Sequence, residues 1–84
     1  MTRLWPDGEP IPMTLDDSGN PATFRWREQI HPVQHIANRW RVDGYWWDSR
    51  VRREYFKLTT ETGWLVILYR DLSTSAWFLQ RLYD

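Results

Sequence analysis

Short runs of alternating apolar and polar residues, broken by turn chemistry, fill most of this 84-residue chain. Ile11, Met13 and Leu15 alternate weakly. Asp17-Ser18-Gly19-Asn20-Pro21 then supplies a turn, and residues 22–27 continue as a second strand, so the pattern predicts a hairpin. Within that second strand Phe24 and Trp26 oppose Thr23, Arg25 and Arg27, the signature of a half-buried strand with a polar outer face. Residues 51–60 set Arg53, Tyr55, Lys57 and Thr59 against Glu54, Phe56 and Leu58, which aims Phe56 and Leu58 at the core. After turns at Thr62-Gly63 and at residues 71–75, the stretches 64–70 and 76–83 are apolar on both faces. A strand of that kind must be covered twice, either by the N-terminal hairpins or by another molecule.

Two segments decide how the strands connect. Residues 29–40 fit a helical stripe through Val33, Ile36, Ala37 and Trp40, whereas their flanks favour strand. Pro32 forbids a helix running across it and pushes His31 toward extended geometry, so a strand with a bulge is preferred, with a single helical turn as the alternative. Asp43-Gly44 is the strongest hairpin signal of the chain, and a further turn is expected at Asp48-Ser49. Residues 1–10, broken by Pro6, Gly8 and Pro10, read as a loosely held lead-in. The expected fold is a single all-β antiparallel meander of about six strands over residues 11–84, curled into a small SH3-like or split barrel.

Composition changes this picture in three ways. Fourteen aromatic residues, seven of them tryptophan, supply the bulk that a domain of this size needs to bury a core. With no cysteine, disulfides and thiolate metal sites are excluded. The formal net charge is zero, which argues against a protein that coats nucleic acid through its phosphates. The charge is nevertheless segregated: residues 1–24 carry one arginine against four acids, a net of −3, and residues 25–57 carry eight bases against four acids, a net of +4. Ten of the eleven bases are arginine, the side chain suited to bidentate and stacked contacts. The start lacks the apolar run of a signal peptide and no stretch is long enough to cross a bilayer, so a cytoplasmic protein without a membrane partner is expected.

Candidate chemistry is sparse. His31 and His35 have helical metal-pair spacing, but Pro32 lies between them and no third ligand is suggested, so two ordinary histidines are the expectation. Asp16 with Asp17 sits in turn chemistry, and Asp48 and Glu54 lie beside arginines, where carboxylates serve as solvated or paired groups. There is no glycine-rich phosphate loop, serine elbow or nucleophilic cysteine, so neither an enzyme nor a cofactor is expected. The informative stretch is residues 40–58, where Trp40, Tyr45, Trp46, Trp47 and Tyr55 interleave with Arg41, Arg50, Arg52, Arg53 and Lys57. Arg25, Arg27 and Arg39 extend the set. Trp, Tyr and Arg are the anchor types of protein interfaces. The residues singled out are Trp46, Trp47 and Tyr55 as apolar anchors, and Arg41, Arg52 and Arg53 as forks for carboxylate or phosphate.

From Trp46 onward the order Trp46-Trp47-Asp48, Arg53-Glu54-Tyr55-Phe56, Leu68-Tyr69-Arg70-Asp71, Trp77-Phe78-Leu79 and Leu82-Tyr83 resembles two related things. One is a family of small bacterial tryptophan-rich β proteins carrying a domain of unknown function, with the likeness reaching back to about Pro21. The other is the C-terminal tail segment of ImuB-type proteins, relatives of Y-family polymerases that act in damage-induced mutagenesis. What the resemblance implies is a β module that contacts protein partners, with no catalytic residue to place. The expected partner is another protein, such as a DNA replication or repair factor. Single-stranded nucleic acid is the alternative, and self-association through the C-terminal strands is the third reading.

Overall fold

The computed structural model describes residues 2–46 and 49–83. They form one antiparallel sheet of seven strands, with no helix among the described residues: β1 (Thr2–Pro10), β2 (Met13–Leu15), β3 (Pro21–Trp26), β4 (Gln29–Trp46), β5 (Ser49–Thr60), β6 (Leu65–Asp71) and β7 (Trp77–Tyr83). The spatial order is β1-β7-β6-β5-β4-β3-β2. The all-β antiparallel expectation holds, with seven strands in place of six, but the sheet does not close into an SH3-like or split barrel. Its two end strands, β1 and β2, are consecutive in the chain and joined through Ile11-Pro12 without pairing with each other. The Ile11 N–H donates to the Trp77 carbonyl (3.1 Å) and the Arg25 N–H donates to the Pro12 carbonyl (3.2 Å). Pro10 and Pro12 have no N–H to give, so the link makes one such bond to each side and leaves β1 and β2 unpaired with each other.

Strand β4, 18 residues long, belongs to both halves of the sheet. Gln29–Pro32 pair with β3, and Val33–Trp46 pair with β5. Irregularities between Val33 and His35 and between Ile36 and Asn38 bend it where it changes partner. The ambiguous segment 29–40 is thus strand with bulges. Asp43-Gly44, in contrast, is not a turn: Asp43 pairs with Arg52 and Gly44 with Val51, and the ribbon runs on to the pair Trp46 and Ser49. Each added pair extends the backbone ladder and keeps its polar groups satisfied, and local turn preference does not outweigh that. The expected turn residue Asp48 lies outside the described residues. A two-residue turn does occur at Arg27 (φ 50°) and Glu28 (φ 64°), between the paired Trp26 and Gln29, where the sequence carries no Asn-Gly signal.

The apolar faces meet as their periodicity requires. Phe24 and Trp26 of β3 and Ile11 of the link pack over Phe56, Leu58, Val66, Leu68, Leu79 and Leu82. Trp5 meets Trp26 edge-on, with ring centroids 5.5 Å apart. On the opposite face a row of rings crosses four strands. Trp40 stacks on Tyr55 (5.3 Å), Tyr55 lies against Tyr69 (5.3 Å), and Tyr69 stacks on Phe78 (4.9 Å).

Residues 2–10 are not a loose lead-in. They form edge strand β1 on β7, with a wide bulge between Leu4 and Glu9. That bulge straddles the sheet, sending Trp5 to the core side while Asp7 and Gly8 cover the aromatic row. The Tyr69 hydroxyl donates to the Asp7 carbonyl at 2.8 Å. Both faces of the C-terminal strands are therefore covered within one chain. Among the described residues no helix is long and apolar enough to cross a membrane.

The coverage makes Gly8 sensitive. Its φ is +77°, and a Cβ there would lie 2.6 Å from Tyr69 Oη and 2.7 Å from Phe78 Cβ. Gly44 has open space around it and an ordinary φ. In chemical denaturation, Gly8→Ala should cost on the order of 2 kcal/mol or more through strain and overpacking. Gly44→Ala should leave the midpoint nearly unchanged.

His31 supplies a pH test. Its ring is fully buried, lying 5.2 Å from the Phe24 ring and 4.2 Å from the Trp64 ring. Nδ1 bonds to Thr62 Oγ1 at 2.7 Å, and Nε2 has no partner among the described residues. Desolvation by burial lowers its pKa from the ordinary value of 6.5. The unfolded state thus binds the proton more readily, so the stabilising contribution is full above about pH 6.5 and is lost as pH falls below it. Urea midpoints should drop between about pH 7.5 and pH 5 by more in the parent chain than in His31→Gln.

Candidate functional site

The β4–β5 ribbon extends beyond the rest of the sheet. β6 follows β5 only as far as the pair Asp71 and Arg53, after which β4 and β5 continue alone to Trp46 and Ser49. Alternation then sorts the ribbon's side chains onto two faces. Arg39, Arg41, Asp43 and Tyr45 of β4 share one face with Arg50, Arg52 and Glu54 of β5. Trp40, Val42 and Gly44 share the other with Val51, Arg53 and Tyr55.

The first face is charged. Glu54, largely buried, receives Arg39 Nη2 and Arg41 Nε, each at 3.4 Å, so one carboxylate serves two guanidinium groups. Asp43 accepts two bonds from Arg50, at 3.1 and 3.0 Å. Those bonds lead the causes that hold the Asp43 carboxyl below its ordinary value, with the charges of Arg50 and Arg52 adding to them. From residue 39 to residue 54 the sequence has five arginines against three acids, a net of +2.

The second face is apolar. Trp40 and Val42 are 37% and 42% exposed there, and Tyr45, on the charged face near the ribbon's end, is 78% exposed. A shallow depression of about 450 Å³ lies beside them, lined by Asp7, Val42, Gly44, Tyr45, Val51 and Arg53.

The six residues singled out from the sequence fall into different roles. Arg41 and Arg52 are exposed on the charged face. Arg53 is half-buried, with its guanidinium 4.4 Å above the Tyr69 ring and Nη1 donating to Tyr55 Oη at 3.3 Å. Tyr55 is 8% exposed and packed between Trp40 and Tyr69, which corrects its reading as a contact anchor: it supports the ribbon from within the sheet. Trp46 is the last residue of β4, paired with Ser49, and Trp47 lies outside the described residues.

Arg39 joins this surface, and Arg25 and Arg27 do not. Arg25 and Arg27 belong to the β3 end of the sheet, where Arg27 stacks 4.4 Å over Trp26. His31 and His35 stand in extended chain, where four residues span roughly 13 Å, too far for one metal ion.

Tyr45 and Trp40 are exposed rings of the ribbon outside the six residues singled out from the sequence. Continuing the strand period through Asp43-Gly44 would have placed Trp40 with Val42, and Tyr45 with the arginines.

A family model described as Domain of unknown function (DUF6504) matches residues 6–84. No curated protein and no solved structure matches the chain.

Burial separates support from surface. Tyr55→Ala should destabilise by about 3 kcal/mol, the scale for deleting a buried ring. Arg41→Ala should leave the thermal midpoint unchanged, because its side chain is 68% exposed and ends at a shared carboxylate. Thermal melts of the two variants check both.

Proposed function

This chain belongs to the DUF6504 family, and we propose that it acts as a protein-binding module through the β4–β5 ribbon. One observation carries the reading. The ribbon runs past the end of β6, with Arg41, Arg52 and Tyr45 exposed on one face and Trp40 and Val42 exposed on the other. Aromatic residues and arginine dominate binding energy where a partner desolvates them. Carboxylates interspersed among the arginines, together with a net charge of zero, suit a protein surface better than a phosphate backbone. The partner class we propose is a bacterial DNA replication or repair factor, on the resemblance of the second half of the chain to the tail segment of ImuB-type proteins.

The test compares the parent chain with Arg41→Ala/Arg52→Ala as immobilised bait at physiological salt. Proteins retained by the parent are identified and titrated against both baits. The expected result is a partner whose affinity falls about tenfold or more in the double variant, with the circular dichroism spectrum unchanged. Equal retention by the two baits would overturn the assignment to this ribbon. Binding of a short single-stranded oligonucleotide that weakens steeply between about 50 and 200 mM salt would replace it with a nucleic-acid function.

A further inference from the structure

We propose that the outer edge of β4, from Arg39 to Tyr45, takes up an added β-strand from a partner polypeptide whose residues alternate acidic and apolar. This inference rests on the binding-module reading and specifies its mode. β4 pairs with β3 only over Gln29–Pro32, so beyond the bend its second edge has no strand partner among the described residues.

The direction of the backbone groups follows from the ladder. In an antiparallel pair, alternate residues exchange both hydrogen bonds with the partner strand, and the residues between them aim N–H and C=O away from it. The Arg52 carbonyl accepts from the Leu72 N–H at 3.0 Å, so Arg52 bonds away from β4. Its partner Asp43 must then face outward, and the constant register from Asn38 to Trp46 puts Arg39, Arg41 and Tyr45 in the same phase. The Arg39 N–H agrees with this: it donates to the neighbouring side chain, Asn38 Oδ1, at 2.9 Å. That side chain closes one end of the edge, and the Arg39 guanidinium is tied back to Asn20 Oδ1 at 3.1 Å. The amides of Arg41, Asp43 and Tyr45 are the donors an incoming strand would meet.

The side chains state what the strand must carry. Residues opposite each other across a ladder lie on the same face of the sheet. Those set beside Arg39 and Arg41 meet two guanidinium groups that share the single carboxylate of Glu54, and an acidic side chain supplies the missing charge. Those set beside Trp40 and Val42 meet exposed apolar surface next to the depression at Gly44 and Val51, and an apolar side chain fits there. A second copy of the chain fits less well. Its own β4 edge brings another net positive ribbon, and its Asp43 is already held by two bonds from Arg50. An exposed edge of this kind is the template that strand-addition domains use, with backbone bonds giving affinity and alternate side chains giving selectivity.

The experiment uses the full chain and synthetic peptides of roughly eight residues. One alternates Glu and Val, a second has the same composition in two blocks, and two further versions of the first are N-methylated at either the Glu or the Val positions. The expected result is binding of the alternating peptide about tenfold or more tighter than the block peptide. It should come with slowed hydrogen exchange at the amides of Arg41, Asp43 and Tyr45. One N-methylated set should abolish binding and the other should be tolerated, because only alternate amides face β4.

Binding without protection at those three amides, or equal binding by both N-methylated peptides, overturns strand addition while leaving the binding-module reading to its own bait experiment. No binding of the alternating peptide overturns the partner chemistry proposed here. Protection that is present without peptide and grows with protein concentration, alongside a doubled mass in light scattering, would assign the edge to a second copy.

Discussion

The fold depends on one strand pairing with two different neighbours. The first four residues of β4 hold the β2–β3 hairpin, and the remainder holds β5 and through it the rest of the sheet. The bend between the two pairings lets Phe24 and Trp26 close over Phe56, Leu58 and Leu68 instead of continuing a flat sheet. Without it the most apolar strands of the chain would expose one face to water. Pro32 stands at the change of partner: it cannot donate to a ladder, and its carbonyl accepts the Glu61 N–H at 2.8 Å.

The same bend leaves the far part of β4 with a partner on one side only. A small domain manages two apolar faces by folding its N-terminal strands around the C-terminal ones. β2–β3 cover the core face, and the bulged β1 covers the aromatic row through Gly8 and the Asp7 carbonyl. Nothing is left in the described chain to cover the ribbon. Its long edge and its exposed rings therefore share one origin, and with the net positive charge its sequence carries they make it the surface to examine in this DUF6504 member. The separation of Tyr55 from Arg41 follows the same logic. Residues opposite β6 are drawn into packing, and residues beyond its end, or on the face away from the aromatic row, remain at the surface.

Most of the strands were legible from period alone, because side chains that alternate into a core leave a period of two in the sequence. Phe24 with Trp26, Phe56 with Leu58, and the doubly apolar stretches 64–70 and 76–83 were readable in this way. Two of the local readings failed and one turn went unread, each for an identifiable reason. Asp43-Gly44 has strong local turn preference, but ladder pairing on both sides carries the ribbon through it. The turn at Arg27-Glu28 carries no glycine, and its left-handed geometry is imposed by the strands it joins. The N-terminal residues look irregular because of Pro6, Gly8 and Pro10, yet an edge strand tolerates proline, and the bulge needs a residue with no side chain at Gly8.

The sequence by itself determined the all-β class, the faces of the central strands, the exclusion of disulfides and the clustering of arginine with aromatic rings in the middle of the chain. These are local properties, set by side-chain type and by the period of the backbone. Only the tertiary structure decided which aromatic rings are spent on packing, that the sheet stays open, and that β4 keeps an unpaired edge. Those outcomes depend on which strands become neighbours across long separations in the chain. That choice is made by the total burial and hydrogen bonding of the whole sheet, and no single stretch encodes it.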